Sequence, residues 1–321
     1  MNDSRRVFLV TGSMGCIGAW TMYHLRQRGE QVVSFDLSDN RARVNLLLTP
    51  EEQADIRFVQ GDLTDYQQVH DTLAAHRVTH IVHLAALQVP FCRANPVLGS
   101  QVNVVGTVNV FEAAKQAGLQ HITYASSIAV YGAPDEYPPG LLAADAPTHP
   151  HTLYGVYKVA DEGIARIYWQ DYQITSTALR PYTVYGLGRD QGLTSEPTKA
   201  MQAAVAGVPY HISFNGMMQF QWASDVAQQF IDAALYPLDG ALAFNLGGLP
   251  VSVETVADVI RRHRPQAAIT VAEKQLPFPQ GFDDSELRSH FQTVYETPLE
   301  DGIRQTLDQI SVRLADGRLQ P

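Results

Sequence analysis

The chain has 321 residues, 45% hydrophobic and 17% charged, with a formal net charge of -10 at pH 7. That length suits one large or two modest domains, and the acidic balance offers neither nucleic acid nor an anionic membrane a basic run to hold. Two cysteines, Cys16 and Cys92, exclude a disulfide framework and a cysteine-rich zinc site.

Residues 1–6 lead into an apolar run too short for a signal peptide, and no window approaches the ~20 apolar residues of a membrane span. A cytoplasmic protein is expected. Residues 7–10 (VFLV) read as a buried parallel strand that runs into Thr11-Gly12-Ser13-Met14-Gly15-Cys16-Ile17-Gly18. A helical pattern through Trp20, Met22 and Leu25 follows. Glycines at i, i+3 and i+6 between strand and helix let bare backbone approach a phosphate at a helix N-terminus, the context of a dinucleotide fingerprint. The second strand, 31–35, ends on Asp36. A carboxylate there accepts hydrogen bonds from ribose hydroxyls and repels a 2′-phosphate, favouring NAD over NADP; Arg41 and Arg43 keep NADP as the lesser alternative.

A third strand over 56–60 ends at Gly61-Asp62-Leu63, which places Asp62 at the ligand edge of an open sheet, while Asp65 suits the N-cap of the next helix. Residues 80–86 (HIVHLAA) read as the fourth strand, closing on Ala85 and Ala86, small enough for a flat cofactor to approach. His80 and His83 lack acidic or cysteine companions and read as sheet histidines; no metal is expected. An amphipathic stretch over 96–118 follows, with Asn103 a polar exception that would either hold a loop or cap a strand. The fifth strand, 121–125, delivers Ser126 and Ser127 to the same edge. Residues 133–150, rich in Pro, Ala and Asp, read as a loop or lid.

In the helix beyond, Tyr154 and Lys158 lie one turn apart on one face, with Tyr157 turned away. A fixed cation near a phenol favours the phenolate, which suits proton transfer near neutral pH. A sixth strand over 174–180 ends in Pro181-Tyr182-Thr183. The alternation of strands and helices over residues 7–180 implies an α/β fold, a doubly wound parallel Rossmann-type sheet. The first domain is expected over 1–186, with returning elements near 222–246, and a smaller, interleaved α+β substrate domain over 187–321.

Together these motifs resemble the extended branch of the short-chain dehydrogenase/reductases, the NAD-dependent epimerase/dehydratase type. The likeness covers most of the chain and rests on six motifs in order: the glycine loop, Asp36, Gly61-Asp62-Leu63, His83-Leu84-Ala85-Ala86, Ser126-Ser127-Ile128-Ala129-Val130-Tyr131-Gly132, and Tyr154 with Lys158 followed by residues 179–186 (LRPYTVYG). The resemblance implies Ser127, Tyr154 and Lys158 as catalytic residues. It places Gly12, Met14, Gly15, Cys16, Ile17, Gly18, Asp36, Asp62, Leu63, Leu84, Ala85, Ala86, Asn103, Tyr154, Lys158, Pro181 and Thr183 around NAD. It also implies a homodimer through the helices near 96–118 and 151–170.

The substrate half departs from the nucleotide-sugar epimerases of that branch. Thr183 stands where they carry an asparagine, and residues 217–221 (MMQFQ) stand where they place an arginine on a diphosphate. Charge-assisted contacts of that kind are the strong ones. The expected function is therefore an NAD-dependent oxidoreductase acting on the carbinol or carbonyl of a small polar substrate: a sugar, a sugar acid or a related alcohol. Gln88, Ser127, Ile128, Tyr154, Thr183, Arg189 and Lys199 are the candidate substrate contacts. A nucleotide-sugar 4-epimerase with tightly bound NAD is the alternative, and a non-catalytic NAD-binding sensor the lesser one.

Overall fold

The computed structural model describes residues 6–320. Residues 1–5, where the sequence reading excluded a signal peptide, lie outside the described residues, as does Pro321. The described residues form two compact units: those within 1–130, 150–180 and 227–244 make the first, and those within 131–149, 181–226 and 245–321 the second. Residues 131–149 and 181–186, which the sequence grouped with the first domain, pack within the second unit.

The first unit alternates strand and helix: β1 (Val7–Thr11), α1 (Cys16–Gln27), β2 (Gln31–Asp36), α2 (Ala42–Leu47), α3 (Pro50–Gln53), β3 (Ile56–Gln60), α4 (Tyr66–His76) and β4 (His80–His83). It continues through α5 (Val89–Ala94), α6 (Pro96–Ser100), a π-turn (Gln101–Val105), α7 (Gly106–Gln116), β5 (His121–Ala125), α8 (Leu153–Tyr172) and β6 (Thr175–Arg180). The expected helix over 96–118 is thus a run of α6, π-turn and α7. The expected strand over 80–86 stops at His83.

The sheet order is β10-β6-β5-β4-β1-β2-β3, where β10 is Ala241–Asn245. β1 pairs in parallel with both β2 and β4, and the β2–β3, β4–β5 and β5–β6 pairs are parallel too. This is a doubly wound sheet. Chain order reverses between β1 and β4, and in such sheets ligands bind outside the carboxyl ends of the strands at the reversal. The ends of β1, β2, β4 and β5 therefore share one edge. Beneath them lies an apolar core that includes Leu9, Val33, Phe35, Ile81, Phe111 and Ile122. The returning segment is tied to this unit by a 2.8 Å pair between Arg28 and Asp232 and by His121 against Ala233 O at 3.0 Å.

The second unit holds β7 (Thr183–Tyr185), α9 (Glu196–Ala206), β8 (Tyr210–Ile212), β9 (Met217–Trp222), the start of α10 (Ala223–Leu235), β11 (Pro250–Ser252), α11 (Val253–His263), β12 (Ile269–Val271), α12 (Ser285–His290) and α13 (Leu299–Ala315). β11, β9 and β7 make a three-stranded sheet, and β12 pairs with β8. Tyr131, Tyr182, Phe278 and Phe282 form an aromatic cluster with centroids 5.1–6.3 Å apart.

Candidate active site

The glycine loop closes so tightly that side chains are excluded by backbone. Gly12 sits at φ +65°, and a Cβ there would lie 2.6 Å from Ala85 N; one on Gly18 would lie 2.3 Å from Gly12 O. Gly15 occupies the N-cap of α1, has no side chain to cap the first-turn amides, and is followed by no acidic residue in that turn. Uncapped amides at a positive helix end suit an anion. Met14 is buried, and Cys16 and Ile17 are half-buried in that first turn.

Asp36 closes β2 beside this loop. Its Oδ2 accepts the Met14 N–H at 2.9 Å and its Oδ1 the Ser38 N–H at 3.0 Å. A carboxylate has about four acceptor positions, so capacity for ribose hydroxyls remains. The two arginines that would suit a 2′-phosphate are engaged elsewhere: Arg43 donates to Met14 O at 2.9 Å, and Arg41 stacks 3.6 Å over the Phe58 ring. Asp62 Oδ1 accepts from Thr64 N and Oγ1, each at 2.8 Å, fixing the turn after β3; Leu63 is buried behind it.

Leu84, Ala85 and Ala86 leave β4 half-buried. The loop they begin is clamped by Asn103, whose Oδ1 accepts Leu87 N–H at 2.7 Å and whose Nδ2 donates to Leu87 O at 2.9 Å. Of the two roles open to Asn103, holding a loop is the one its geometry performs. The π-turn aims it there. Gln88 follows as the half-buried N-cap of α5.

Ser126 and Ser127 differ sharply. Ser126 is buried and donates to Glu162 Oε1 at 2.6 Å, and Glu162 is gripped on both oxygens by Arg180 at 2.7 and 2.6 Å. Ser127 is half-buried, and among the described residues its Oγ only accepts, from Ala129 N at 3.1 Å. Its proton is available for a ligand. Ile128 is buried next to it. A Cβ on Gly155 would meet Ala129 O at 2.0 Å, so glycine lets the first turn of α8 pack onto this segment. Thr152 caps that turn by accepting Gly155 N–H at 3.0 Å.

On α8, Lys158 Nζ stands 5.9 Å from the centroid of the half-buried Tyr154 ring. Tyr157 turns away and donates to Pro96 O at 2.9 Å. Lys158 is buried and donates to Ala125 O at 2.7 Å and to Asp161 Oδ2 at 3.1 Å. Burial, the largest influence, works against its charge, but Asp161, Tyr154 and Cys92 together outweigh it and raise the ammonium's affinity for its proton. His83 bridges Thr11 Oγ1 (2.7 Å) and Thr107 Oγ1 (3.2 Å); burial, helped by Lys158, drives its pKa down to about 3. It is a neutral sheet histidine, and among the described residues no cluster could hold a metal ion.

In the second unit, Pro181 and Thr183 are buried at the start of β7. Thr183 Oγ1 donates to Met218 Sδ at 3.5 Å. Gln219 bonds Gly248 O and both backbone groups of Phe282, while Gln221 bonds Tyr182 N, Leu246 O and Gly247 O. Arg189 and Lys199 are half-buried, at the turn after β7 and on α9. Asp161, Gly155 and the two glutamines are the residues that sequence reasoning did not single out; only Asp161, three positions after Lys158, left a local signal.

A glycine cradle that any Cβ would fill, an uncapped helix start and a ribose-edge carboxylate together fit a dinucleotide. A model of the NAD dependent epimerase/dehydratase family matches residues 8–247. UDP-glucuronate 4-epimerase 1 of Arabidopsis thaliana is 30% identical, over 92% of this chain and 75% of its own. UDP-glucose 4-epimerase of Mycolicibacterium smegmatis is 33% identical, over 74% of this chain and 76% of its own. A UDP-glucose 4-epimerase of Thermus thermophilus, solved with NAD, superposes with a TM-score of 0.81 at 25% identity, covering 95% of this chain and 98% of that one.

Proposed function

The chain belongs to the NAD-dependent epimerase/dehydratase family, and we propose that within it the protein oxidises or reduces one carbinol carbon of a sugar, a sugar acid or a related small alcohol. It is an NAD-dependent enzyme of the extended short-chain dehydrogenase/reductase type. NAD supplies hydride acceptance and donation. The loop from Gly12 to Gly18 would hold its pyrophosphate, Asp36 its adenosine ribose, and Asp62 and Leu63 its adenine side. Ser127 donates to the reacting oxygen and fixes its orientation. Tyr154 takes the hydroxyl proton on oxidation and returns it on reduction. Lys158, held by Ala125 O and Asp161, offers its third N–H to the nicotinamide ribose.

The Thr183–Met218 contact carries the choice of a small substrate. A diphosphate needs bidentate, charge-assisted donors, and the strand where the resemblance expects an arginine supplies a buried thioether and two engaged glutamines. Likeness to UDP-sugar 4-epimerases at 30–33% identity favours the second reading, an epimerase that keeps its cofactor. A screen of sugars, sugar acids and alcohols under saturating NAD, read as NADH absorbance, decides between them. Net NADH formation supports the dehydrogenase. Interconversion of UDP-hexoses without net absorbance change would overturn it in favour of the epimerase.

For the cofactor, Asp36→Ala is expected to relax discrimination against NADP roughly tenfold, one charge-assisted contact's worth. Unchanged selectivity in paired NAD and NADP titrations would remove Asp36 from that role.

We also place the enzyme in the cytoplasm as a homodimer. Val97, Val105, Val108, Val156 and Ile167, on the run from α6 to α7 and on α8, are exposed apolar side chains, and such patches mark association surfaces. Val105→Glu with Val156→Glu is expected to convert a dimeric mass to a monomeric one in light scattering; a wild-type monomer would refute the dimer.

A further inference from the structure

Behind Lys158 lies a charge that the proposed chemistry uses only to hold the ammonium in place. Asp161 sits one turn along α8 with 0% of its side chain exposed, against 2% for Lys158, and its Oδ2 is 3.1 Å from Lys158 Nζ. Its Oδ1 has no hydrogen-bond partner of ordinary geometry among the described residues; the Thr107 hydroxyl beside it donates to Asn103 O at 2.5 Å and still lies near enough to favour the carboxylate. An incompletely hydrogen-bonded buried ion pair is poor support for stability, since desolvation offsets much of the attraction. Its effect on the charge at Lys158 is the clearer consequence.

The titratable groups facing this pair come from four elements: His83 on β4, Cys92 on α5, Tyr124 on β5, and Tyr154 and Glu162 on α8. Burial with Lys158 nearby keeps His83 neutral to about pH 3, and burial pushes the Cys92 thiol and the Tyr124 phenol up. Glu162 is already balanced by Arg180. Asp161 is the group within hydrogen-bond reach that balances Lys158. Burial raises its own carboxyl to about 6 against the pull of Lys158, so it carries its charge at neutral pH and above.

We propose that Asp161 is a positioning residue that sets the redox preference of the bound cofactor, by cancelling the Lys158 charge where the oxidised, cationic nicotinamide must be held. This rests on the placement of Lys158 at the nicotinamide ribose under Proposed function. An uncompensated ammonium there repels the oxidised ring and is indifferent to the reduced one. The Lys158–Asp161 pair presents no net charge to either. A purely structural role for Asp161 would affect both cofactor forms alike.

The test is the ratio of Kd for NAD+ to Kd for NADH, measured on the full chain at about pH 8 by calorimetry and NADH fluorescence. Asp161→Asn keeps the shape and removes the charge, and should raise the ratio roughly 3- to 10-fold. Asp161→Glu should hold it near wild type. The neutral double variant, Lys158→Met with Asp161→Asn, should return the ratio toward wild type while weakening both forms. A ratio in Asp161→Asn within about twofold of wild type overturns the inference. Should that variant not fold, the wild-type protein answers instead: its ratio should climb as pH falls through about 6, where Asp161 gains a proton, and a flat ratio overturns the inference equally. A double variant that binds both forms as tightly as wild type would remove Lys158 from the cofactor and sink the reading beneath. Weakened binding there with an unmoved ratio in the single variant would sink the Asp161 inference alone.

Discussion

Tyr154→Phe is expected to lower turnover by about 10²–10⁴-fold, the usual share of a positioned proton-transfer group, while the melting temperature and NAD affinity stay near wild type. The two halves of that expectation have separate origins. Tyr154 is half-buried and its hydroxyl makes no hydrogen bond to the described residues, so its removal orphans no buried partner. The aromatic ring, with Lys158 Nζ 5.9 Å from its centroid, is retained. Tyr157 supplies the internal control. Its phenol donates to Pro96 O at 2.9 Å in a buried setting, and Tyr157→Phe should cost about 1 kcal/mol of stability with turnover intact. Steady-state rates on whichever substrate the NADH screen identifies, beside thermal melts, measure both. If Tyr154→Phe turns over like wild type, the proton passes through another group and the site assignment is wrong.

The glycine turn after β1 is legible in the sequence because its demands fall on the backbone. Gly12 at φ +65° and Gly18 against Gly12 O admit no other residue without strain, so the glycines themselves announce a tight strand-to-helix turn. Asp36 is legible because a parallel strand ends on it, and Asp65 because an N-cap has few residue types; it accepts from Gln67 N and Gln68 N as expected. Ser126 and Ser127 mark the limit of that reading. Residue type cannot separate them, and what does separate them is Glu162 and Arg180, distant in sequence and close in space. Asp161 is similar. Its spacing from Lys158 is visible, but its complete burial depends on how α7 and α8 pack.

Elsewhere the signals are too short or too distant. The strands β7, β8 and β11 have three residues each, too few for a period-two pattern to emerge. Nothing in residues 96–118 announces a π-turn, because inserting one residue into a helix shifts its face without changing composition. Asn103, within that turn, holds the Leu87 backbone, and the fourth strand, expected to reach residue 86, ends at His83 with Leu84 N still on Thr11 O at 3.2 Å. Residues 133–150 read as a loop or lid from their prolines, alanines and aspartates, and the structure puts residues 131–149 in the second unit. Their packing in the second unit rests on Tyr131 against Asn245 Oδ1 at 2.9 Å and Leu142 N on Gly281 O at 3.1 Å, partners more than a hundred residues away.

The strongest structural prediction follows from the loop that opens α1. Gly12→Ala is expected to weaken NAD binding by at least ~100-fold and to lower the melting temperature. Two penalties combine. A left-handed backbone at a non-glycine residue costs roughly 1–2 kcal/mol, and the new Cβ would lie 2.6 Å from Ala85 N, 2.7 Å from Ala85 Cα and 2.9 Å from Leu84 C. Those atoms are main chain and cannot rotate aside. Either the turn after β1 or the loop after β4 must shift, and both border the sheet edge where the cofactor is proposed to bind. Gly29→Ala separates the penalties: Gly29 has φ +72°, and a Cβ there would meet nothing within 4 Å, so it bears the conformational cost alone. Its melting temperature should fall modestly and its NAD affinity should not change. Should Gly12→Ala melt with Gly29→Ala and bind NAD as wild type does, the turn is not the phosphate cradle, and the cofactor must be held elsewhere on the chain.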